Sequence, residues 1–244
     1  MPEFVTVVQI SDPHLRAVAD PAQGSPDSGL RQLVELLASE QPEVVLLTGD
    51  VADDGSLAAY ERAQYMVAGL GAAVLATPGN HDDPAALAEV FGRAKALEIG
   101  GWRLLCVNTF VPGEQFGKID VDATLDLLGT DQSTPTALAM HHPPVTTSTH
   151  DWFRLDGGAE LVSELVRRGD VRIVVSGHLH EAFNAVVGPV SFLGCSSSFY
   201  SLKHRNDEML LDQGHVGGLR LRLYDNGAWN WRRLPDPNAR SVAA

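Results

Sequence analysis

The sequence predicts an α/β fold in which mixed β-sheet is enclosed by helices. From the N-terminus to about residue 175, compact apolar runs of strand length alternate with segments whose apolar residues recur at helical spacing, the signature of successive β-α-β units. Beyond residue 180 the texture changes to short strands separated by turn signals, which adds a second sheet or a sheet edge and gives a sandwich with helices outside. A third observation concerns chemistry: short segments rich in Asp, His and Asn follow the strand-like runs.

The first run, 4–10, is apolar and β-branched. Residues 30–37 repeat apolar side chains at helical spacing, and Pro42 separates them from a second strand-like run at 44–47. A helix over 57–68 and a strand over 73–76 follow, then a helix over 84–97 that leads into strand 102–107. Strand 136–140, helix 159–168 and strand 172–175 complete the alternation. Strands 182–187, 190–193, 218–224 and 228–233 come next, with turns at Val187-Gly188-Pro189 and Asp225-Asn226-Gly227; the latter reads as a hairpin. Stretches 17–29, 111–120, 145–158 and 196–217 read as loops of functional length. Residues 1–234 read as one domain, the strands of about 216–233 completing a sheet, and 235–244 as a flexible tail.

Eighteen Lys and Arg against 31 Asp and Glu give a formal charge of −13, which argues against long nucleic acid as a partner. A phosphate site in so acidic a chain needs a locally inverted potential, which divalent cations can supply. Cys106 and Cys195 lie in apolar runs without CxxC spacing and read as reduced core residues. With neither a leader-like N-terminus nor an apolar run of membrane-spanning length, the expectation is a cytoplasmic protein with no membrane partner.

Five segments carry the candidate chemistry: Asp12-Pro13-His14, Gly49-Asp50, Gly79-Asn80-His81-Asp82, His141-His142 and Gly177-His178-Leu179-His180. Carboxylate and amide oxygens mixed with imidazoles, without thiolate, suit Mn, Fe, Zn or Co. Asp12 and His14, like His178 and His180, stand two apart, so a persisting strand direction would aim each pair to one side. Asp50 can bridge two cations, and Asn80 offers a neutral hard oxygen. All five segments follow strands, which in an open α/β sheet puts them on its carboxyl edge.

These motifs, spread over 7–182 and including Thr48-Gly49-Asp50, Pro78-Gly79-Asn80-His81-Asp82 and Met140-His141-His142-Pro143-Pro144, resemble those of the calcineurin-like metallophosphoesterases, and within them the class III cyclic nucleotide phosphodiesterases and related bacterial enzymes. The resemblance implies a four-layer αββα sandwich, two mixed sheets flanked by helices. It implies two divalent ions, one on Asp12, His14, Asp50 and His180, the other on Asp50, Asn80, His141 and His178. It puts the first of the tandem histidines on metal, with His142 as the alternative, and sets His81 beside the scissile phosphate with Asn80 and Asp50 as its catalytic companions. The implied reaction is hydrolysis of a small phosphodiester, foremost a cyclic nucleotide, by a metal-bridging hydroxide. A glycerophosphodiesterase or broad phosphomonoesterase/phosphodiesterase is the alternative, and a non-catalytic scaffold the alternative from another class. A homodimer is a further expectation from the family. Asp82 reads as a helix N-cap before Pro84 or as the partner of His81, the cap being favoured. Trp152, Phe153, Phe199 and Tyr200 could stack a nucleobase or simply pack; Asp151, His150, His204 and His215 are loop residues without an assigned role.

Overall fold

A computed structural model describes residues 3–205, 208–212 and 217–235. Strands β1 (Phe4–Ile10), β2 (Val44–Thr48) and β3 (Ala73–Thr77) run parallel, with helix α1 (Pro26–Ala38) between the first two and α2 (Leu57–Ala68) between the second pair. Helix α3 (Pro84–Phe91) then leads to β4 (Ala96–Ile99) and β5 (Trp102–Cys106). The short β6 (Gly117–Lys118), helix α4 (Val121–Leu128), β7 (Thr136–Met140), the short β8 (Leu155–Asp156), helix α5 (Gly158–Arg168) and β9 (Val171–Ser176) follow. The chain finishes with β10 (Asn184–Val187), β11 (Val190–Gly194), β12 (Ser201–Arg205), β13 (Glu208–Asp212), β14 (Gly218–Tyr224) and β15 (Trp229–Leu234).

Two mixed sheets result. The first has strand order β15-β14-β1-β2-β3 and the second β10-β11-β9-β7-β5-β4. Strand periodicity explains the layering, because successive side chains point to opposite faces. In β1, Val5 and Val7 enter the core between the sheets, while Val8 and Ile10 pack toward α1 and α2; in β2, Val44 and Leu46 face inward and Val45 and Leu47 outward. β5 and β7 repeat this in the second sheet: Leu104, Cys106, Ala137 and Ala139 face the shared core, and Leu105, Leu138 and Met140 face a third cluster that includes Leu161 and Leu165 of α5. Three apolar interfaces therefore separate four layers, helix, sheet, sheet, helix, and both cysteines are buried and free. Gln9 ties the two sheets beside their carboxyl ends, its amide donating to Thr48 Oγ1 at 2.8 Å and to the Ser176 carbonyl at 3.0 Å.

Several elements differ from the sequence reading. The helix expected over 84–97 stops at Phe91, because Gly92 takes φ +82°; β4 then pairs antiparallel with β5 through Gly100-Gly101. Helix α1 starts at Pro26 rather than 30, capped by Ser25, whose hydroxyl accepts from Ser28 N. Three of the four expected loops contain strands, β6 pairing with β8 and β12 with β13 from within 111–120, 145–158 and 196–217, and the fourth, 17–29, contains the start of α1. Helix α4, capped by Asp120, had no counterpart in the sequence reading. The proposed tail, 235–244, falls outside the described residues beyond Pro235, and His215 does likewise.

Candidate metal centre

The carboxyl ends of β1, β2, β3, β7 and β9 converge where the two sheets meet, yet the residues beyond them are not strand extensions. Asp12, His14, Asp50, His178 and His180 all have positive φ, between 49° and 68°, a left-handed conformation that costs a non-glycine residue roughly 1–2 kcal/mol. Contrary to the expectation, the strand direction does not persist through these segments, and the pairs are aimed by left-handed turns. Neighbouring backbone holds those turns in place. Asp12 N donates to Gly49 O at 3.1 Å, His14 N to Asp50 O at 2.9 Å and Leu15 N to Val51 O at 3.0 Å, locking the first two segments side by side. Glycine is required where the last segment meets the first, since a Cβ on Gly177 would lie 2.0 Å from Ser11 Oγ and 2.7 Å from Asp12 Oδ2.

The side chains of Asp12, His14, Asp50 and His180 form one buried cluster whose ligand atoms lie within 4.8 Å of one another. His180 Nε2 stands 3.3 Å from Asp12 Oδ1, His14 Nε2 3.7 Å from Asp50 Oδ2, and the two Nε2 atoms 3.1 Å apart. On the other side of Asp50, Oδ2 is 3.4 Å from His141 Nε2, which is 3.1 Å from Asn80 Oδ1. His141, His142 and His178 make a second cluster of the same tightness. Asp50 thus faces both groups, and all seven residues singled out in the sequence adjoin them.

Ring tautomers follow from the outer partners, because a backbone carbonyl can only accept. His141 Nδ1 donates to Thr48 O (2.8 Å), His178 Nε2 to Trp152 O (2.9 Å) and His180 Nδ1 to Tyr200 O (3.1 Å), while His14 Nδ1 meets Asp53 Oδ1 (3.1 Å). Each ring thereby turns its other nitrogen to the cluster, the arrangement by which metal-ligating histidines are oriented. His142 differs: Nδ1 meets the Thr109 hydroxyl at 2.7 Å and Nε2 donates to Gln115 O at 3.1 Å. Proximity groups His142 with His141 and His178, but its hydrogen bonds leave no lone pair to give. Buried oxygen and imidazole donors facing one another, two of them nitrogens at 3.1 Å, fit divalent cations.

The sequence profile of the calcineurin-like phosphoesterases matches residues 5–182. The chain belongs to this family. A probable cyclic nucleotide phosphodiesterase of Synechococcus sp. is 32% identical over 92% of this chain and 90% of its own. The 3′,5′-cyclic adenosine monophosphate phosphodiesterase CpdA of Pseudomonas aeruginosa is 31% identical over 91% and 87%. Among solved structures, a dimetal phosphatase from Danio rerio superposes with a TM-score of 0.61, at 14% identity, over 85% of this chain and 95% of that one, a likeness of fold.

As a calcineurin-like phosphoesterase the chain is a metal-dependent hydrolase of phosphoric esters, and its charges suit cation binding. Burial disfavours the Asp12 and Asp50 carboxylates, but His180 beside Asp12 and His141 beside Asp50 outweigh it and hold both below their usual range. Burial opposes protonation of His141 also, yet the Asp50 carboxylate pushes it up to about 9. His178 goes the other way, held neutral by burial and by the neighbouring His142 and His141.

Two carboxylates complete this phosphoesterase site in ways the sequence reading missed. Asp53 sits between His14 Nδ1 (3.1 Å) and His81 Nδ1 (3.4 Å) and accepts from Arg16 Nε at 2.9 Å. The His14 hydrogen bond, helped by Arg16, lowers its carboxyl to about 2. Asp82 is not the helix cap: Asp83 caps α3, accepting from Ala85 N and Ala86 N. Asp82 lies buried instead and accepts from Ala52 N, Tyr60 OH and Gly79 N at 2.8–3.0 Å, so it braces the turns carrying Asp50 and Asn80. Burial and the Asp50 charge raise it to about 6. Of the loop residues, Trp152 and Tyr200 reach His178 and His180 through their carbonyls. His204 donates to Leu179 O at 2.8 Å, and His150 accepts from Trp152 N. Phe153 is core, and Asp151 is exposed. No helix among the described residues is long and apolar enough to cross a membrane.

Proposed function

We propose that this chain is a two-metal phosphodiesterase acting on cyclic nucleotides. The observation that carries the reading is the pair of buried clusters joined by Asp50, with His81 at the mouth; the names of relatives matching nearly the full length of the chain support the substrate class. Asp12, His14, Asp50 and His180 would hold one divalent ion, and Asp50, Asn80, His141 and His178 the other. Such a pair supplies charge neutralisation at the phosphoryl oxygens and a water activated near neutral pH.

The chain's own groups supply positioning and proton transfer. Asn80 is oriented from outside, its Nδ2 donating to Gln115 Oε1 at 3.0 Å, which turns Oδ1 toward His141. His81 is partly exposed, its backbone N–H is fixed to Asp50 Oδ1 at 2.9 Å, and its Nδ1 is turned to the Asp53 carbonyl at 3.2 Å. With Nδ1 occupied, Nε2 is the nitrogen that can protonate the departing ribose oxygen. Asp53 orients both rings, its carbonyl accepting from His81 Nδ1 and its carboxylate from His14 Nδ1.

The test strips the protein of metal and reloads it separately with Mn, Fe, Zn, Co or Mg. Each form is assayed on cyclic AMP, cyclic GMP, a glycerophosphodiester, an aryl diester and an aryl monoester. Cyclic nucleotide turnover well above the rest supports the reading. Preference for the glycerophosphodiester or the monoester refutes the substrate, and a folded Asp50→Ala protein with full activity refutes the bridging role.

A further inference from the structure

A cavity of about 260 Å3 is lined by Arg16, Val18, Asp20, Ala22 and Pro26, from the segment between β1 and α1 and the start of α1, and by Phe199. Neither wall is incidental. Helix α1 abuts the 196–200 segment so closely that a Cβ on Gly29 would lie 2.1 Å from the Ser198 carbonyl. Ser197 Oγ accepts from Phe199 N (2.9 Å) and Tyr200 N (3.2 Å) and donates to the Asp12 carbonyl (2.7 Å), so the aromatic pair is registered to a ligand-bearing turn. Tyr200 lies tilted against His180 with ring centroids 4.3 Å apart, and Phe199 stands edge-on to Tyr200 at 5.1 Å. The opposite wall is braced by Ser25 Oγ donating to Asp20 O and by Arg62 donating to Arg16 O. Arg16 joins cavity to chemistry, since its Nε donates to the Asp53 that contacts His81.

The chemistry of this lining selects its occupant. Phe199 offers a π-face to a planar ring, the sequence-tolerant part of base recognition. Arg16 presents donors and Asp20 an acceptor, matching a heterocycle that carries both kinds of group. Asp20 and Asp27 oppose a second phosphate there. We infer that this cavity is the nucleobase subsite of the enzyme, so that a substrate whose phosphate lies at the metal clusters places its base against Phe199. The inference rests on the cyclic nucleotide reading above.

The test uses the full metal-loaded chain and two readouts. The first is inhibition of methyl 4-nitrophenyl phosphate hydrolysis by AMP and by ribose 5-phosphate, which differ by the base alone. The second is KM for cyclic AMP. Wild type should bind AMP about tenfold or more tightly than ribose 5-phosphate, the stacking of one base. Ala22→Trp, which fills the cavity, and Phe199→Ala, which removes the face, should each erase that preference, raise KM for cyclic AMP about tenfold and leave kcat on the small diester within about threefold. Variants that keep the wild-type preference for AMP overturn the subsite, and so do variants that weaken both inhibitors equally. In either case wild-type turnover of cyclic AMP leaves the function standing. A wild type that neither hydrolyses cyclic nucleotides nor prefers AMP overturns both.

Discussion

Gly79→Ala isolates what close packing behind the metal centre contributes. Gly79 does not occupy left-handed backbone, so alanine meets no conformational penalty there; what it meets is Asp50. The added Cβ would lie 2.2 Å from Asp50 Oδ1 and 2.5 Å from Asp50 N. Moving that oxygen from 2.2 Å to the 3.4 Å of ordinary contact displaces the carboxylate by about 1.2 Å, and it breaks the 2.9 Å hydrogen bond from His81 N. Overpacking costs about 1–3 kcal/mol and the lost charge-assisted bond about 1.5–3 kcal/mol. The metal-free variant should therefore lose about 3–5 kcal/mol in urea unfolding, a large share of the stability of an ordinary domain. Because Asp50 faces both clusters, manganese titration by calorimetry should show weaker binding, and kcat should drop by about a hundredfold, the effect of an ångström of misplacement. Gly92→Ala is the control. It carries φ +82° with ψ 176°, backbone that is essentially confined to glycine, and has no atom within 4 Å of its would-be Cβ, so it should cost about 1–3 kcal/mol of backbone strain with metal binding and kcat unchanged. A Gly79→Ala protein that binds manganese and turns over like wild type would refute the reasoning.

His141→Ala should reduce bound metal from two ions to one by elemental analysis, whereas His142→Gln should keep both, because both ring nitrogens of His142 are already engaged. His81→Ala should lower kcat by about 10²–10⁴ on cyclic AMP and far less on a 4-nitrophenyl ester, whose leaving group needs no proton; equal losses on the two would remove His81 as the acid. In the metal-free protein, native Asp82 holds its proton to about pH 6 against an ordinary value of 3.8. Over that window the folded state binds more protons than the unfolded one, so the Asp82 contribution to stability falls as pH rises. The stability of Asp82→Asn relative to wild type, read by urea unfolding, should accordingly shift in the variant's favour between pH 4 and 6.

The layered architecture was legible because β1, β2, β5 and β7 are buried on both faces and read as continuous apolar runs, while α1, α2 and α5 keep helical spacing. The strand ends stood out for a related reason: Asp, His and Asn directly after apolar runs have no packing role to explain them. What escaped the sequence reading has physical causes. β12 (Ser-Leu-Lys-His-Arg) and β13 (Glu-Met-Leu-Leu-Asp) pair with each other outside both main sheets, and neither sequence shows the alternation that marks a half-buried strand. α4 is two turns long, too short for its periodicity to separate it from the loops around it. Asp53 cannot be told from Asp54 by spacing; the first meets two histidines and the second accepts from Ala17 N and Ser56 N. The carbonyls of Thr48, Trp152 and Tyr200, which decide each histidine's tautomer, are backbone atoms and leave no mark on residue type.

The position of β14 between β15 and β1 has a consequence for how the protein matures. β1 pairs with β2 along residues 7–10, and along residues 4–9 with β14, a strand made some two hundred residues after it. While the ribosome is still adding the second half of the chain, β1 presents an open edge, the kind of surface that chaperones shield and that other chains can pair with. The turn bearing Asp12 and His14 is fastened by Ser197, and its partners His178 and His180 also arrive late. His178, His180 and Ser197 nevertheless all precede β14, so a nascent chain interrupted before β14 already carries every side chain of the two clusters while β1 is left with an unpaired edge.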